Sequence, residues 1–195
     1  VTERSGRIRV IKDGKLDPTP VSGVPAVHAV RLSGLMDIAL HPRFAENGFV
    51  YLTYSKPGDN NSIATTLARG RWDGRQLMDT KDIFVGSPWW NGSGGSASRI
   101  AFGRDGMIYM TTGSSNADMN DAQNPTHHKG KVLRLRDDGT LAAAEEKSGF
   151  IGELGNGEFT PLGDGKVPGY PTAWLPTERA ARMWRAIQTE KPFAP

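Results

Sequence analysis

The sequence predicts an all-β protein assembled from repeated antiparallel sheets, on the strength of a turn-rich composition and two recurring motifs. The chain has 195 residues, of which 24 are Gly and 13 are Pro, and this content favours many turns between short elements. In the first motif, an apolar strand is followed by a polar turn containing Gly and then by an alternating strand. It occurs at residues 38–55 and 100–114, and the two copies begin 62 residues apart.

The second motif is an Asp-Gly pair that follows an alternating strand. The pairs begin at Asp13, Asp73 and Asp138, so they recur after 60 and 65 residues. An Asp-Gly pair favours a tight hairpin because Gly accepts a positive φ. One period therefore holds four short strands, which is the content of one blade of a β-propeller, where four-stranded sheets are arranged radially.

The blades can be placed in chain order from these motifs. Residues 1–27 are predicted to hold the end of one blade, residues 34–85 a second blade and residues 96–142 a third. The sequence thus predicts a partial β-propeller of about 2.5 blades, whereas closed propellers need at least about four. Because the chain also starts at Val1 rather than Met, we expect a processed or incomplete product.

The periodic pattern ends after Leu141, so we predict two domains. Residues 1–141 form an incomplete β-propeller domain, and residues 142–195 form an irregular tail. A short helix is predicted near 177–188, where Thr177 is a candidate N-cap and apolar residues partly share one face.

Composition excludes several classes of function. Without Cys, the chain has no disulfide, no thiolate zinc site and no Cys nucleophile. The formal net charge is only +3 and the basic residues are scattered, so no nucleic-acid partner is expected. No apolar stretch approaches the roughly 20 residues of a membrane span. Self-association through unpaired blade edges is expected, since an open strand edge templates further pairing.

Four ordered stretches carry a resemblance to a known family: VTERSGRIRVI at 1–11, GLMDIALHPRFAENGFVYLTYS at 34–55, SRIAFGRDGMIYMTTGS at 98–114 and HHKGKVLRLRDDGT at 127–140. Together they resemble the soluble sugar dehydrogenases that use pyrroloquinoline quinone (PQQ), the glucose/sorbosone dehydrogenase family. The resemblance implies a six-bladed β-propeller, PQQ and calcium as cofactors, an aldose or related sugar as substrate, and a periplasmic or secreted location. It also implies hydride transfer from C1 of the sugar to the quinone, with a His as general base.

Three site positions depart from the pattern that the resemblance implies. One is an acidic residue of some members, which reads Gly94 here. The catalytic His of the family lies four residues before the Arg that corresponds to Arg99, and that position is Gly95 here. A Gln that contacts the quinone corresponds to Leu32. Since Gly95 has no side chain that could accept a proton, the sequence leaves two functions open. One is PQQ-dependent oxidation of a sugar; the alternative is a non-catalytic propeller module that binds carbohydrate or protein.

Trp89, Trp90 and Asn91 are the candidate substrate-binding residues. They precede a Gly/Ser-rich run, and aromatic rings at such a place can stack on a sugar ring. The same rings could instead wedge between two blades. Both interpretations stay open at the level of the sequence.

Other polar residues are interpreted as structural. His41 lies in a turn between strands and is expected to hydrogen-bond the backbone there. His127 and His128 are adjacent, so on an extended chain they point to opposite faces and do not form a chelate. Asp37 lies in an apolar stretch, where a buried carboxylate must be paired, and is expected to tie strands or blades together.

Two more clusters are weaker candidates. Oxygen-bearing side chains suited to calcium recur at Asp118, Asn120, Asp121 and Asn124, but such a run is equally an ordinary polar loop, and we assign no metal site. Ser93, Ser96 and Ser98 have no His or Asp at a spacing that would indicate a serine hydrolase.

Overall fold

A computed structural model describes residues 1–91, 96–114 and 126–142, and these residues are almost entirely strands and turns. The all-β prediction is therefore confirmed. The strands in chain order are β1 (Thr2–Glu3), β2 (Arg7–Ile8), β3 (Ile11–Lys12), β4 (Lys15–Leu16), β5 (Leu35–Leu40), β6 (Phe49–Pro57), β7 (Ser62–Trp72), β8 (Leu77–Val85), β9 (Trp90–Asn91), β10 (Ile100–Phe102), β11 (Ile108–Thr111) and β12 (Val132–Leu135). A single helical turn, α1 (Phe44–Asn47), and a 3-10 turn at Asp59–Asn61 complete the described elements.

The central sheet is formed by consecutive antiparallel strands in the order β5-β6-β7-β8. Tyr51 on β6 lies opposite Arg69 on β7, which in turn lies opposite Lys81 on β8. After β8 ends, the short strand β9 pairs with the first residues of β7, where Trp90 lies opposite Ile63. This up-and-down order is the one expected of a propeller blade.

Smaller sheets flank the central sheet in the ranges predicted for the neighbouring blades. On the C-terminal side β10, β11 and β12 form an antiparallel sheet, and a bridge between Leu135 and Leu141 occupies the place of a fourth strand. On the N-terminal side β1 pairs with β2 and β3 pairs with β4, while Ile8 bridges to Val21. The prediction of a partial propeller is confirmed by this arrangement of sheets.

The core lies on both faces of the central sheet, because alternate residues of β6 and β7 point to opposite sides. One cluster joins the central sheet to the N-terminal residues and contains Ile8, Val21, Leu35, Val50, Leu52, Tyr54, Ala68 and Leu77. The other joins it to the C-terminal sheet and contains Tyr51, Leu67, Ile100, Ile108, Met110, Leu133 and Leu135. Full burial of each large apolar side chain contributes about 1.5–3 kcal/mol. Stacked blades require this two-sided burial, since an isolated sheet buries one face at most.

Each Asp-Gly pair lies at a turn beside a strand, as predicted. Asp13 and Gly14 both have positive φ, at 50° and 74°, whereas in the later turns the positive φ belongs to Gly74 (102°) and Gly139 (89°). The helical turn α1 was not predicted from the sequence. It ends at Gly48, which has a φ of 66° and donates its N–H to the carbonyl of Phe44.

Polar contacts confirm two of the structural predictions, one between sheets and one within a turn. One carboxylate oxygen of Asp37 accepts a hydrogen bond from the Arg99 guanidinium at 3.1 Å, and the other accepts the Ile100 N–H at 2.9 Å. Asp37 therefore ties β5 to the start of β10, in the next sheet. His41 accepts the N–H of Arg43 at its Nδ1 at 3.0 Å, as expected for a residue that stabilises a turn.

Several predictions concern residues outside the described ranges. These are Gly95, Ser93, the polar run from Asp118 to Asn124, and the helix near 177–188. The boundary between the two predicted domains at residue 141 likewise stays a prediction. Within the described part of the chain, no helix is long and apolar enough to cross a membrane.

Candidate functional site

The described candidate residues lie together at one end of the sheets. Leu32 precedes β5, Trp90 and Asn91 form β9 beside the start of β7, and Arg99 leads into β10. His41 lies at the opposite end of the central sheet, in the turn that follows β5. The residues of the candidate site therefore come from chain segments that lie at the same end of the strands.

The two neighbouring tryptophans have different environments. Trp89 is 39 % exposed and lies against Gly58, where a Cβ atom would come within 2.2 Å of the indole. Trp90 is only 7 % exposed, and the Lys129 ammonium lies 5.3 Å from the centre of its ring. Trp90 thus packs in the interior, while Trp89 remains accessible at the rim beside the exposed Asn91.

Leu32 presents an exposed aliphatic side chain at the position where the resemblance implies a Gln. It is 70 % exposed. The Arg4 guanidinium holds the surrounding loop, because one of its nitrogens donates to the carbonyls of Ala29 and Arg31 at 3.2 and 2.9 Å. The loop is therefore anchored, but Leu32 itself cannot form a hydrogen bond to a ligand through its side chain.

His128 connects the central sheet to the C-terminal sheet. Its imidazole Nδ1 accepts a hydrogen bond from the backbone N–H of Ser87 at 3.0 Å. The backbone N–H of His128 donates to the Ser87 carbonyl at 2.7 Å. Burial, assisted by the positive charge of Lys131, lowers the pKa of the His128 imidazole below its usual range. His128 is consequently a neutral, hydrogen-bonded link between sheets, and not a free base.

Lys129 and Lys131 are buried beside this link. Each is less than one-tenth exposed, and the Lys131 ammonium donates to the Lys129 carbonyl at 2.8 Å. Among the described residues, no group of three His, Asp or Glu side chains is arranged to hold a metal ion.

Sequence reasoning missed a set of buried hydroxyl groups at the same end. Ser33, Ser55 and Thr65 surround Ser96, the residue directly after Gly95, and all of them are essentially inaccessible. Small polar residues in the strands and just before them were the available signal, but that signal does not reveal what lies opposite them in the next sheet.

Comparison with known proteins assigns the family. The sequence model of glucose / sorbosone dehydrogenases matches residues 1–151, which is more than half of the chain. The chain belongs to the glucose/sorbosone dehydrogenase family. The expectation drawn from the four sequence stretches is thereby confirmed.

Individual relatives support the same assignment. Protein slr1608 of Synechocystis sp. (strain ATCC 27184 / PCC 6803 / Kazusa) is 39% identical over 160 residues, which cover 73% of this chain and 39% of that protein. Aldose sugar dehydrogenase YliI of Escherichia coli (strain K12) is 31% identical over 157 residues, covering 80% of this chain and 41% of its own length. This chain thus spans about two fifths of the length of the curated relatives it matches.

Solved structures of similar proteins agree with the fold. A structure described as glucose dehydrogenase matches with a TM-score of 0.70 and 31% identity, covering 76% of this chain and 46% of the other. The PQQ-bound form of aldose sugar dehydrogenase from Streptomyces coelicolor matches with a TM-score of 0.57 and 31% identity, covering 69% of this chain and 40% of the other. A member of the family therefore binds PQQ.

Proposed function

We propose that this chain forms part of a PQQ-dependent dehydrogenase that oxidises an aldose or a related sugar. The match of the family to residues 1–151 is the observation that carries the proposal. The clustering of the candidate residues at one end of the sheets supports it, because the substrate and the cofactor must meet at a single place.

The donor groups at this end fit a cofactor as rich in acceptors as PQQ, which carries three carboxylates and two quinone oxygens. The indole N–H of Trp90 and the hydroxyls of Ser98 and Ser114 are buried and have no hydrogen-bond partner among the described residues. The Arg99 guanidinium is 81 % exposed and bears a positive charge. Ser98, Arg99 and Ser114 would hold the cofactor; when bound, PQQ supplies the acceptor for the hydride that leaves the sugar. Calcium as a second cofactor is part of the proposal, although among the described residues no group of three His, Asp or Glu side chains is arranged to hold it.

Proton removal from the sugar hydroxyl is the step that this chain supports least. Gly95 offers no base. The Nδ1 atom of His128 is already occupied by the Ser87 N–H, and His41 lies at the opposite end of the central sheet. We therefore propose that Gly95 stands where the family has its general base. Turnover by this chain is then far below that of a protein with His at the position.

The proposal is tested by reconstitution of the chain with PQQ and calcium. Quinone binding is measured by quenching of tryptophan fluorescence, and turnover by reduction of an artificial electron-acceptor dye with a panel of aldoses. We expect measurable quinone binding and weak turnover that Gly95→His increases. Absence of quinone binding at millimolar concentration would refute the dehydrogenase function for this chain. We further propose a periplasmic or secreted location, which fractionation of cells that produce the protein would check.

A second candidate function is a non-catalytic module that binds carbohydrate or protein. Two observations favour it: the exposed aliphatic side chain of Leu32, and the accessible ring of Trp89, which is 39 % exposed. Trp89→Ala should abolish carbohydrate binding measured by calorimetry if the ring stacks on a sugar. Leu16→Ala, which also removes a half-exposed apolar side chain but lies on β4, is the matched control and should leave binding unchanged.

Self-association through blade edges is also proposed. An apolar groove of about 330 Å³ lies between the N-terminal residues and the central sheet, and its lining includes Val1, Ile11, Leu40 and Phe44. Val1, Ile11 and Leu40 are each more than half exposed. Analytical ultracentrifugation should show oligomers that Ile11→Lys disperses; a monomer at all concentrations would contradict this proposal.

A further inference from the structure

Ser96, which precedes the C-terminal sheet, is held by hydroxyl groups in the central sheet and in the loop before it. We call the set Ser33, Ser55, Thr65 and Ser96 the hydroxyl tether; each of these residues is at most 1 % exposed. The Ser55 hydroxyl donates to the Ser96 hydroxyl at 2.8 Å, and the Ser33 hydroxyl lies 3.4 Å from it. The Thr65 hydroxyl donates to the Ser96 carbonyl at 3.1 Å.

The tether crosses from the central sheet to the C-terminal sheet. Ser55 lies on β6 and Thr65 on β7, whereas Ser96 leads into β10. From the other side, the N–H of Gly113 donates to the same Ser96 carbonyl at 3.0 Å. The backbone at residue 96 is therefore held by both sheets at once.

A group of buried hydroxyls is an unfavourable way to fill a core unless each one is hydrogen-bonded. The Ser55 and Ser33 hydroxyls lie against the Ser96 hydroxyl and the Thr65 hydroxyl donates to the Ser96 carbonyl, at the point where residue 96 passes from one blade to the next. An apolar cluster would fill the same space but would not fix the position of a backbone carbonyl, because apolar contacts have no direction.

We propose that the hydroxyl tether is a positioning device for the candidate site. It fixes the Ser96 backbone against the ends of β6 and β7 and so sets the geometry of the cofactor-facing residues that follow, Ser98 and Arg99. The inference rests on the proposed function, because that function identifies the positioned site as the PQQ site. Ser33, Ser55, Thr65 and Ser96 are positioning residues and need not touch substrate or cofactor.

Two adjacent threonines on β7 provide a matched test. Thr65 bonds to Ser96 across the sheets, whereas the equally buried Thr66 bonds only to the Ala64 carbonyl of its own strand, at 3.2 Å. Thr65→Val and Thr66→Val each remove one buried hydroxyl with little change of shape. Thr65→Ser retains the hydroxyl and serves as the conservative rescue.

The first readout is amide hydrogen exchange in the full chain, followed by NMR at Gly113, whose N–H is bonded to the Ser96 carbonyl. Thr65→Val should accelerate exchange at Gly113 about tenfold, which corresponds to about 1.4 kcal/mol. Thr66→Val and Thr65→Ser should leave that rate near the wild-type value. Equal acceleration by Thr65→Val and Thr66→Val would overturn the inference, since the effect would then be a general loss of stability.

The second readout is the affinity for PQQ, measured by quenching of tryptophan fluorescence. Thr65→Val should weaken quinone binding about tenfold relative to Thr66→Val. If exchange at Gly113 accelerates and the affinity stays unchanged, the tether does not position the site and the inference is wrong. If the wild-type chain binds no quinone, the proposed function fails, and the exchange at Gly113 decides by itself whether the tether holds the segment.

Discussion

Gly139 provides the sharpest test of the stacked-sheet architecture. Its φ is +89°, and a Cβ atom built on it would lie 2.0 Å from the backbone carbonyl oxygen of Ile83, on β8 of the neighbouring sheet. Gly74 occupies the equivalent place in the preceding Asp-Gly turn with a φ of +102°, and nothing lies within 4 Å of its Cβ position. Gly139→Ala and Gly74→Ala therefore impose a similar backbone strain, but only the first also forces two sheets apart.

The expected effects follow from these two geometries. A positive φ in a residue with a side chain costs about 1 kcal/mol, and this is the whole effect that we expect for Gly74→Ala. Overpacking of a tight contact adds about 2 kcal/mol, so Gly139→Ala should lower the free energy of unfolding by about 3 kcal/mol. With a urea dependence of about 2 kcal/mol per M, the midpoint of unfolding should fall by about 1.5 M for Gly139→Ala and about 0.5 M for Gly74→Ala. Equal shifts of the two midpoints would refute the claim that the turn at Gly139 packs against the next sheet.

Two further predictions concern groups that link the sheets. Asp37→Ala should lower the free energy of unfolding by about 2–3 kcal/mol, because it leaves the buried Ile100 N–H without an acceptor. Arg99→Ala removes only an exposed ion pair and should cost less than about 1 kcal/mol. Urea titration of the two variants checks both values, and equal losses would contradict the conclusion that Asp37 acts mainly through the Ile100 N–H. Burial lowers the folded-state pKa of both His128 and His41, so the unfolded chain takes up protons first as the pH falls through about 6.5. Stability should therefore decline as the pH falls below about 6.5, and His128→Gln should flatten the decline in a pH series of thermal melts. An unchanged slope would show that the buried imidazole of His128 is not responsible.

The repeat period made the sheets predictable from the sequence, because each blade repeats the same alternating strands and the same Asp-Gly turn. Leu52 and Tyr51 illustrate this: they are adjacent on β6, point to opposite faces, and are both fully buried against different sheets. The turn at Phe44–Asn47 was not predicted to be helical, since four residues are too few to show a helical period. The family, too, was identifiable from the sequence alone, from four stretches in a fixed order.

The candidate site was less predictable, because strand ends have no periodicity to guide an interpretation. Trp89 and Trp90 form one feature in the sequence, yet the pairing of β9 with β7 buries Trp90 and leaves Trp89 accessible. Their different environments follow from the pairing of β9 with β7, and that pairing depends on a register between distant segments. The tether partners of Ser96 are at least 31 residues away along the chain, so no local pattern could have indicated them.

The start of β10 is fixed by the central sheet at two separate points. Asp37 holds Arg99 and the Ile100 N–H, and the hydroxyl tether holds Ser96, so the residues between them are fixed at both ends by polar contacts from the preceding blade. The positions of Ser98 and Arg99 are then set less by their own blade than by the one before it. Any ligand held by these two residues consequently depends on contacts made by β5, β6 and β7, because a binding group is effective only when it is held in the correct orientation.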